Sequence, residues 1–266
     1  MTSQRYPVRN GRGFSLVEIL VVIGIIAVLL AILLPVIGRS RRAAVTTACL
    51  SNTRELLNGY TIYLADKKHR NPNYVFTAGQ THWFVEFRAT MSLVDRAYTC
   101  PAVGNATAVD YGGATQAWTM SLHNDDGVPI VMNGCYGFNA WWLQWDPIGQ
   151  GGDEYSGGPA ERHLKLGSAE SSLIPVFADS TWSDAWPRAN DRTPPNLITG
   201  DHDHQGMGRA PAENMMARFT IARRGKAINV SFIDGHAETI PLDRLKRLKW
   251  HEGFVYQDWG PALPAQ

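Results

Sequence analysis

Apolar positions fall into three regimes along the chain, and each predicts a different element. From Phe14 to Ile37 only Ser15 and Glu18 are polar. At about 1.5 Å of rise per residue, that run makes one apolar helix long enough to cross a bilayer core of roughly 30 Å. Beyond it, Val45, Cys49, Leu56, Tyr60 and Tyr63 recur at steps of three, four and seven, with Leu50, Leu57 and Leu64 on an adjoining row. This is the pattern of an amphipathic helix. Pro35 bends the segment without ending it, so one helix is expected from Phe14 to Asp66, stopped by the charged, proline-bearing stretch DKKHRNPN. THWFVEFRATMSLVD reads as a short second helix.

From Cys100 onward the punctuation changes to Gly, Pro, Asn and Asp, with short apolar runs between. CYGFNAWWLQW, LIPVFADS, RFTIARR and INVSFID read as strands joined by long loops. The clearest hairpin covers 227–241, where Asp234 and Gly235 offer the two positive-φ positions of a tight type I′ turn. Val230 and Phe232 alternate with Ser231 and Ile233, as in a two-faced sheet packed on a helix. QGGDEYSGGPAERH and RANDRTPPNLITGDHDHQGMG read as surface loops. The fold class is therefore α+β, a long N-terminal helix packed on a small antiparallel β-sheet head.

Composition narrows the function. The chain has 266 residues, 44% hydrophobic and 10% aromatic, enough for a spanning helix and one globular domain with its own core. Six of the 25 basic residues (Arg5, Arg9, Arg12, Arg39, Arg41, Arg42) and one of the 24 acidic ones lie in the first 42 positions, leaving 19 and 23 beyond. A mildly acidic head is a poor match for nucleic acid. Three basic residues flank the apolar run on each side, so charge counting alone assigns no orientation.

Glu18 is the anomaly of the membrane segment. A carboxylate there costs a few kcal/mol and marks function by default, with a partner implied. A secretory signal would place its small residue after the apolar run, whereas Gly13 precedes it.

The residues GFSLVEILVVIGIIAVLLAILLP resemble the N-terminal segment of type IV prepilins and type II secretion pseudopilins. A basic leader ends in Gly13, Phe14 follows it, and Glu18 is the fifth residue of the mature chain. The resemblance implies cleavage between Gly13 and Phe14 by a membrane prepilin peptidase and methylation of Phe14. It also implies that Glu18 pairs with the freed amine of a neighbouring subunit as the helices bundle into a filament. Domain bounds follow: leader 1–13, transmembrane helix 14–37, helix continuation 38–66 and pilin-like head 67–266. Localisation is expected to be single-pass in the inner membrane, leader in the cytoplasm and head in the periplasm. The partners implied are other pseudopilin subunits, an inner-membrane secretion platform and membrane lipid. A type II pseudopilus subunit is the first reading, and a minor pilin or anchored protein whose head binds a ligand such as a glycan is the alternative.

RFTIARRGKAINVSFIDGHAETIPLDRLKRLKW resembles a C-terminal segment of many large pseudopilin-like proteins, marked by a His followed after nine residues by Asp-Gly. Asp234 and Gly235 match the end of that pattern, but Arg224 stands at the His position. Arg remains protonated and offers donors only. A structural role for the hairpin survives that change; an acid-base or metal role at the first position does not.

Three cysteines lie outside the membrane segment, and none has CxxC spacing. Cys49 with Cys100 is the expected bridge, tying the helical half to the strand half. A Cys100–Cys135 bond or a bridge between chains are the other possibilities.

GDHDHQG, with Asp201, His202, Asp203 and His204, could supply imidazole and carboxylate to a transition metal, but reads first as a solvated loop. Asp179, Asp184 and Asp191 could offer oxygens to calcium, although no EF-hand pattern is present and turn formation is the plainer reading. Trp141, Trp142, Trp145, Trp182 and Trp186 could stack on sugars, but large aromatics usually fill cores. No GxSxG, Walker loop, HExxH or Cys/His signature occurs, so the chain is expected not to be an enzyme and to need no cofactor.

Overall fold

The structure, a computed structural model, describes residues 15–74, 83–85, 87, 95–103, 111–123, 129–145, 170–199, 214–260 and 262–264. The chain divides into two units, residues 1–44 and 45–266.

In the first unit the chain is helical from Leu16, and its apolar side chains are exposed. That helix, α1 (Leu16–Asp66), is long and apolar enough at its N-terminal end to cross a membrane, and it contains Pro35. Ala, Leu, Arg and Glu fill 22 of its 51 positions, and Pro35 removes one backbone donor without ending it.

In the second unit the rest of α1 carries the head's core. Cys49, Thr53, Leu56, Leu57, Tyr60, Tyr63 and Leu64 are buried, the row anticipated from the spacing. The helix ends through left-handed residues rather than a glycine. Lys68 and His69 have φ of 53° and 63°, and the His69 N–H reaches back to the Leu64 carbonyl at 2.6 Å. A six-to-one bond of this kind satisfies a carbonyl that the helix end leaves open.

The remaining elements are β1 (Asn73–Tyr74), β2 (Trp118–His123), β3 (Pro129–Gly134), β4 (Tyr136–Asn139), β5 (Gln144–Trp145), β6 (Pro175–Asp179), β7 (Asp184–Ala185), β8 (Ala227–Phe232) and β9 (Ala237–Pro241). The main sheet runs β7-β4-β6-β8-β9. Its pairs are antiparallel except β4 with β7. β2 and β3 form a separate hairpin, and β1 pairs in parallel with β5. The sheet is thus mixed rather than purely antiparallel. Residues 83–85 and 87 of the expected second helix are helical.

Aromatic rings join α1 to the sheet. Tyr60 meets Phe138 edge-on at 5.2 Å and Phe177 at 6.4 Å, and Phe138 lies 5.1 Å from Phe177. Such pairs add about 0.5–1.5 kcal/mol each beyond the area they bury. β8 departs from the expected two-faced pattern, because Ile228, Asn229, Val230, Ser231 and Phe232 are all buried. Asn229 is tolerated there because its amide lies 2.8 Å from the Thr239 hydroxyl on β9 and near the Thr46 carbonyl of α1.

RFTIARR is not a strand. A 3₁₀ turn covers Met215–Arg218, and Phe219 and Thr220 close turn bonds to Met216 and Ala217. The chain leaves extended pairing here because Arg223 and Arg224 are drawn into the core, as described next.

Candidate functional site

The N-terminal signature begins with Gly13 and Phe14, which lie outside the described residues. Ser15 precedes the first helical turn, and Glu18 occupies that turn's third position. The Ser15 backbone N–H donates to Glu18 Oε2 at 2.8 Å, and Ile19 N–H closes the first helical bond to the Ser15 carbonyl at 3.2 Å. This is half of a capping box: a Glu at N3 satisfies a backbone donor that the helix start leaves open. The sequence signal is S-L-V-E ahead of an apolar run, the spacing of a capping box. Within one chain Glu18 therefore has a local role before any partner arrives.

At the head end, Cys49 of α1 and Cys100 are disulfide-bonded, with Cα atoms 5.2 Å apart, and Cys135 is free and buried. Burial raises the Cys135 thiol pKa, against the opposing field of Arg223. The bridge joins α1 to Cys100, two residues past a 3₁₀ turn at Asp95–Tyr98, not to a strand directly. Its contact with the hairpin region runs through Arg224, whose Nη2 lies 3.0 Å from Cys100 Sγ.

Arg224 also faces Asp179 at 3.4 Å, and Arg223 faces the same carboxylate at 3.4 Å. Asp179 and the Arg223 side chain have no exposed surface, and Arg224 has 6%. Asp179 Oδ2 further accepts the Asn229 N–H at 2.8 Å. Arg223 donates to the carbonyls of Gly113 (2.6 Å), Ser180 (3.2 Å) and Cys135. Two guanidiniums thus share one carboxylate, and backbone carbonyls accept from both terminal nitrogens of Arg223, while its buried Nε has no acceptor among the described residues. Sequence reading found Arg224 through its motif position and missed Arg223, whose partner lies 44 residues away.

The hairpin turn is not type I′. Only Gly235 has positive φ (100°) in the loop, and Asp234 is not among the left-handed residues. The Phe232 N–H donates to the His236 carbonyl at 2.9 Å, and the Gly235 N–H to the Phe232 carbonyl at 3.0 Å. The loop is therefore Ile233–Asp234–Gly235, a type I turn closed by a glycine in the left-handed region. Asp234 instead uses its carboxylate to accept the His236 N–H at 3.1 Å and to face the His236 ring.

The three aspartates considered for calcium are not brought together. Asp179 serves the arginine pair. Asp184 accepts from Trp83 Nε1 at 2.9 Å and faces Arg218 at 3.4 Å. Asp191 accepts the N–H groups of Arg188 (2.9 Å) and Met216 (2.6 Å), and burial pushes its pKa up to about 6. Among the described residues no group of three or more His, Cys, Asp or Glu could hold a metal. Asp201, His202, Asp203 and His204 lie outside the described residues.

Among the described side chains the tryptophans form no platform. Trp141, Trp142 and Trp186 are buried, and the indoles of Trp141 and Trp142 donate inward to the carbonyls of Pro187 and Pro175. Trp182 is half-buried against Tyr111, ring centres 4.4 Å apart. Trp145 lies in β5, its side chain outside the described set. Large aromatics with satisfied N–H groups are core material.

Residues 8–34 match the family model of the prokaryotic N-terminal methylation motif. That span contains Gly13, Phe14, Glu18 and α1 as far as Leu34. No curated protein and no solved structure matches the chain. With the α+β architecture, the motif supports a type IV pilin-like protein. The motif's family is structural rather than enzymatic, and the motif implies processing by prepilin peptidase and assembly with other pilins. The apolar N-terminal helix fits a single-pass membrane anchor.

Proposed function

We propose that the chain is a pseudopilin, cleaved between Gly13 and Phe14, methylated at Phe14, and polymerised through α1 into a type II secretion pseudopilus. The observation that carries this is the methylation motif at 8–34, which overlaps the start of a 51-residue helix whose residues from Cys49 to Leu64 pack into the core of a β head. Polymerisation needs an apolar helix with a specific polar contact, and Glu18 is the only carboxylate before Glu55. Pairing with the Phe14 amine of a neighbour would couple assembly to processing, because before cleavage that nitrogen is an uncharged amide. The leader then faces the cytoplasm and the head the periplasm, with the prepilin peptidase, sister subunits and the inner-membrane secretion platform as partners. No catalytic role or cofactor belongs to this reading.

Intact-mass measurement of the membrane form tests it. The mature chain should begin at Phe14 and be about one methyl group heavier than its sequence mass. A mature chain beginning elsewhere, or a Gly13→Leu variant cleaved normally, refutes the processing assignment.

A further inference from the structure

Helix α1 closes on a run of four basic residues, Lys67, Lys68, His69 and Arg70. Among the described residues, Lys68 and His69 are the only ones other than glycine with positive φ, at 53° and 63°. Glycine or asparagine usually fills such a position, because a Cβ crowds the left-handed backbone. Two consecutive large side chains there strain the fold, and strain of this kind points to a use for the side chains. The cap itself does not need them. The bonds that close the helix come from the backbone N–H groups of Lys67, His69 and Arg70.

Lys68, His69 and Arg70 are exposed, and none of them meets a carboxylate among the described residues. Lys67 lies 3.4 Å from its neighbour Asp66, with both groups largely in water. The rest of the head has the opposite sign. Of the 19 basic residues beyond position 42, Lys67, Lys68 and Arg70 belong to this turn, leaving 16 against 23 acidic. A free polyanion approaching the turn faces that excess of like charge, whereas a second copy of the chain brings both signs.

The matching acidic surface is the C-terminal hairpin. Asp234 in its turn and Glu238 on β9 are exposed, and the His236 ring lies between them, 2.5 Å from one carboxylate and 4.0 Å from the other. Among the described residues no ion pair joins this hairpin to the basic turn within one chain. Two different, complementary patches on one chain make a heterologous contact, which repeats into a ring or an open helical filament where a two-fold contact would stop at a dimer. We infer that Lys67, Lys68 and Arg70 of one copy dock on Asp234 and Glu238 of the next. The inference rests on the filament reading above and adds which surfaces of the heads meet.

Crosslinking of the full chain tests this. Unlabelled and heavy-isotope-labelled chains are reconstituted together in membranes and treated with a carbodiimide, which joins an ammonium to a carboxylate it touches as an amide, with loss of water. Mixed-isotope peptides should link Lys67 or Lys68 to Asp234 or Glu238. The Lys67→Gln/Lys68→Gln/Arg70→Gln chain should enter sheared filaments formed alongside wild type roughly tenfold less, since one exposed ion pair is worth up to about fivefold. Lys67→Arg/Lys68→Arg keeps the charge and should enter normally, without the amines that crosslink. Lys68→Gly/His69→Gly separates charge from cap: glycine relieves the left-handed strain, so the urea midpoint should hold or rise while filament entry falls. A lower midpoint would show that the side chains serve the cap, and would overturn the inference. If wild type forms no filament, the pseudopilin reading falls and the docking with it. Normal entry of the Gln chain, with no mixed-isotope link in wild-type filaments, overturns the docking alone. If the Gln chain enters normally but loses binding to a sulfated polysaccharide, the turn is a polyanion site and the second-copy assignment is overturned.

Discussion

Arg224 Nη2 lies 3.0 Å from Cys100 Sγ, so the residue at the first position of the C-terminal motif touches the sulfur that closes the bridge to Cys49 on α1. Arg224 also reaches toward the Thr46 hydroxyl at 3.4 Å and faces Asp179 on β6. Three parts of the head distant in sequence therefore meet at one side chain. A histidine could not make these contacts together, since its ring is shorter and offers at most two donors.

Removing the bridge should destabilise the head without redirecting its fold. The Cys49→Ala/Cys100→Ala chain is expected to lose about 2–4 kcal/mol, the usual range for a native disulfide closing a loop of this size. Urea unfolding of the full chain in detergent, followed by tryptophan fluorescence, measures it. Non-reducing peptide mapping provides the companion test: a Cys100–Cys135 peptide from the native chain would contradict the pairing.

Asp179→Asn should cost more than most single changes. It leaves Arg223 and Arg224 buried without their shared anion, and breaking a buried pair costs about 3–5 kcal/mol. Asp184→Asn, whose Arg218 partner is less deeply buried (12% exposed), should cost less. The same urea assay ranks the two, and a reversed order would show that the arginines are held mainly by backbone carbonyls.

What could be read from the sequence follows the range of the interactions. The row through Cys49, Leu56, Tyr60 and Tyr63 was legible because helical burial repeats locally. β8 and β9 were legible because Asp234-Gly235 punctuates two apolar runs, although φ shows that Gly235 alone takes the left-handed position. β2 and β3 were not anticipated: WTMSLH does alternate apolar and polar residues, but its partner PIVMNG does not, and the register that brings Met120 opposite Met132 is set between the two. RFTIARR looked like a strand because Phe219 and Ile221 alternate, yet Arg223 is pulled inward by carbonyls from Gly113, Cys135 and Ser180. Charge usually reads as surface, and nothing local to Arg223 signals three distant acceptors.

Gly235→Ala isolates the turn. A Cβ there meets no atom within 4 Å, so steric crowding contributes nothing, but φ of 100° is unfavourable for any L side chain. The expected loss is about 1–2 kcal/mol. Gly225→Ala, with φ of 68° and equally open space, should fall in a similar range in the same unfolding assay. A neutral Gly235→Ala would mean that the loop relaxes to another turn type.

Two buried groups near the C-terminal segment should give opposite pH slopes. Burial raises the Asp191 pKa to about 6 and lowers that of His251 to about 4. The folded state holds a proton on Asp191 that the unfolded chain releases near pH 4, so this group's contribution to stability falls as pH rises from about 4 to 6. The unfolded state instead protonates His251 near pH 6.5, so its contribution rises with pH from about 4 to 6.5. Relative to wild type, Asp191→Asn should therefore gain stability as pH increases through this window, and His251→Gln should lose it. Denaturant midpoints at pH 4.5 and 6.5 decide the matter; differences of the same sign in both variants would sink the assignment.

Glu18 has two possible duties, and a pair of variants separates them. Its Oε2 accepts the Ser15 N–H at 2.8 Å, which any acceptor of similar shape can do, whereas neutralising a neighbour's Phe14 amine requires charge. Glu18→Gln keeps an oxygen for the helix start; Glu18→Ala removes both functions and should lose about 1 kcal/mol more at the helix end. If pairing with the amine drives assembly, each variant leaves an uncompensated ammonium in a low-dielectric helix bundle, at a cost of about 3–5 kcal/mol. Both variants should then insert in the membrane and fold their heads, yet be strongly depleted from sheared filaments formed alongside wild-type subunits. Membrane fractionation and quantitative mass spectrometry of those filaments provide the two readings. Should Glu18→Gln enter filaments at the wild-type level while Glu18→Ala does not, the carboxylate serves the start of α1 and the charge-pairing role must be abandoned.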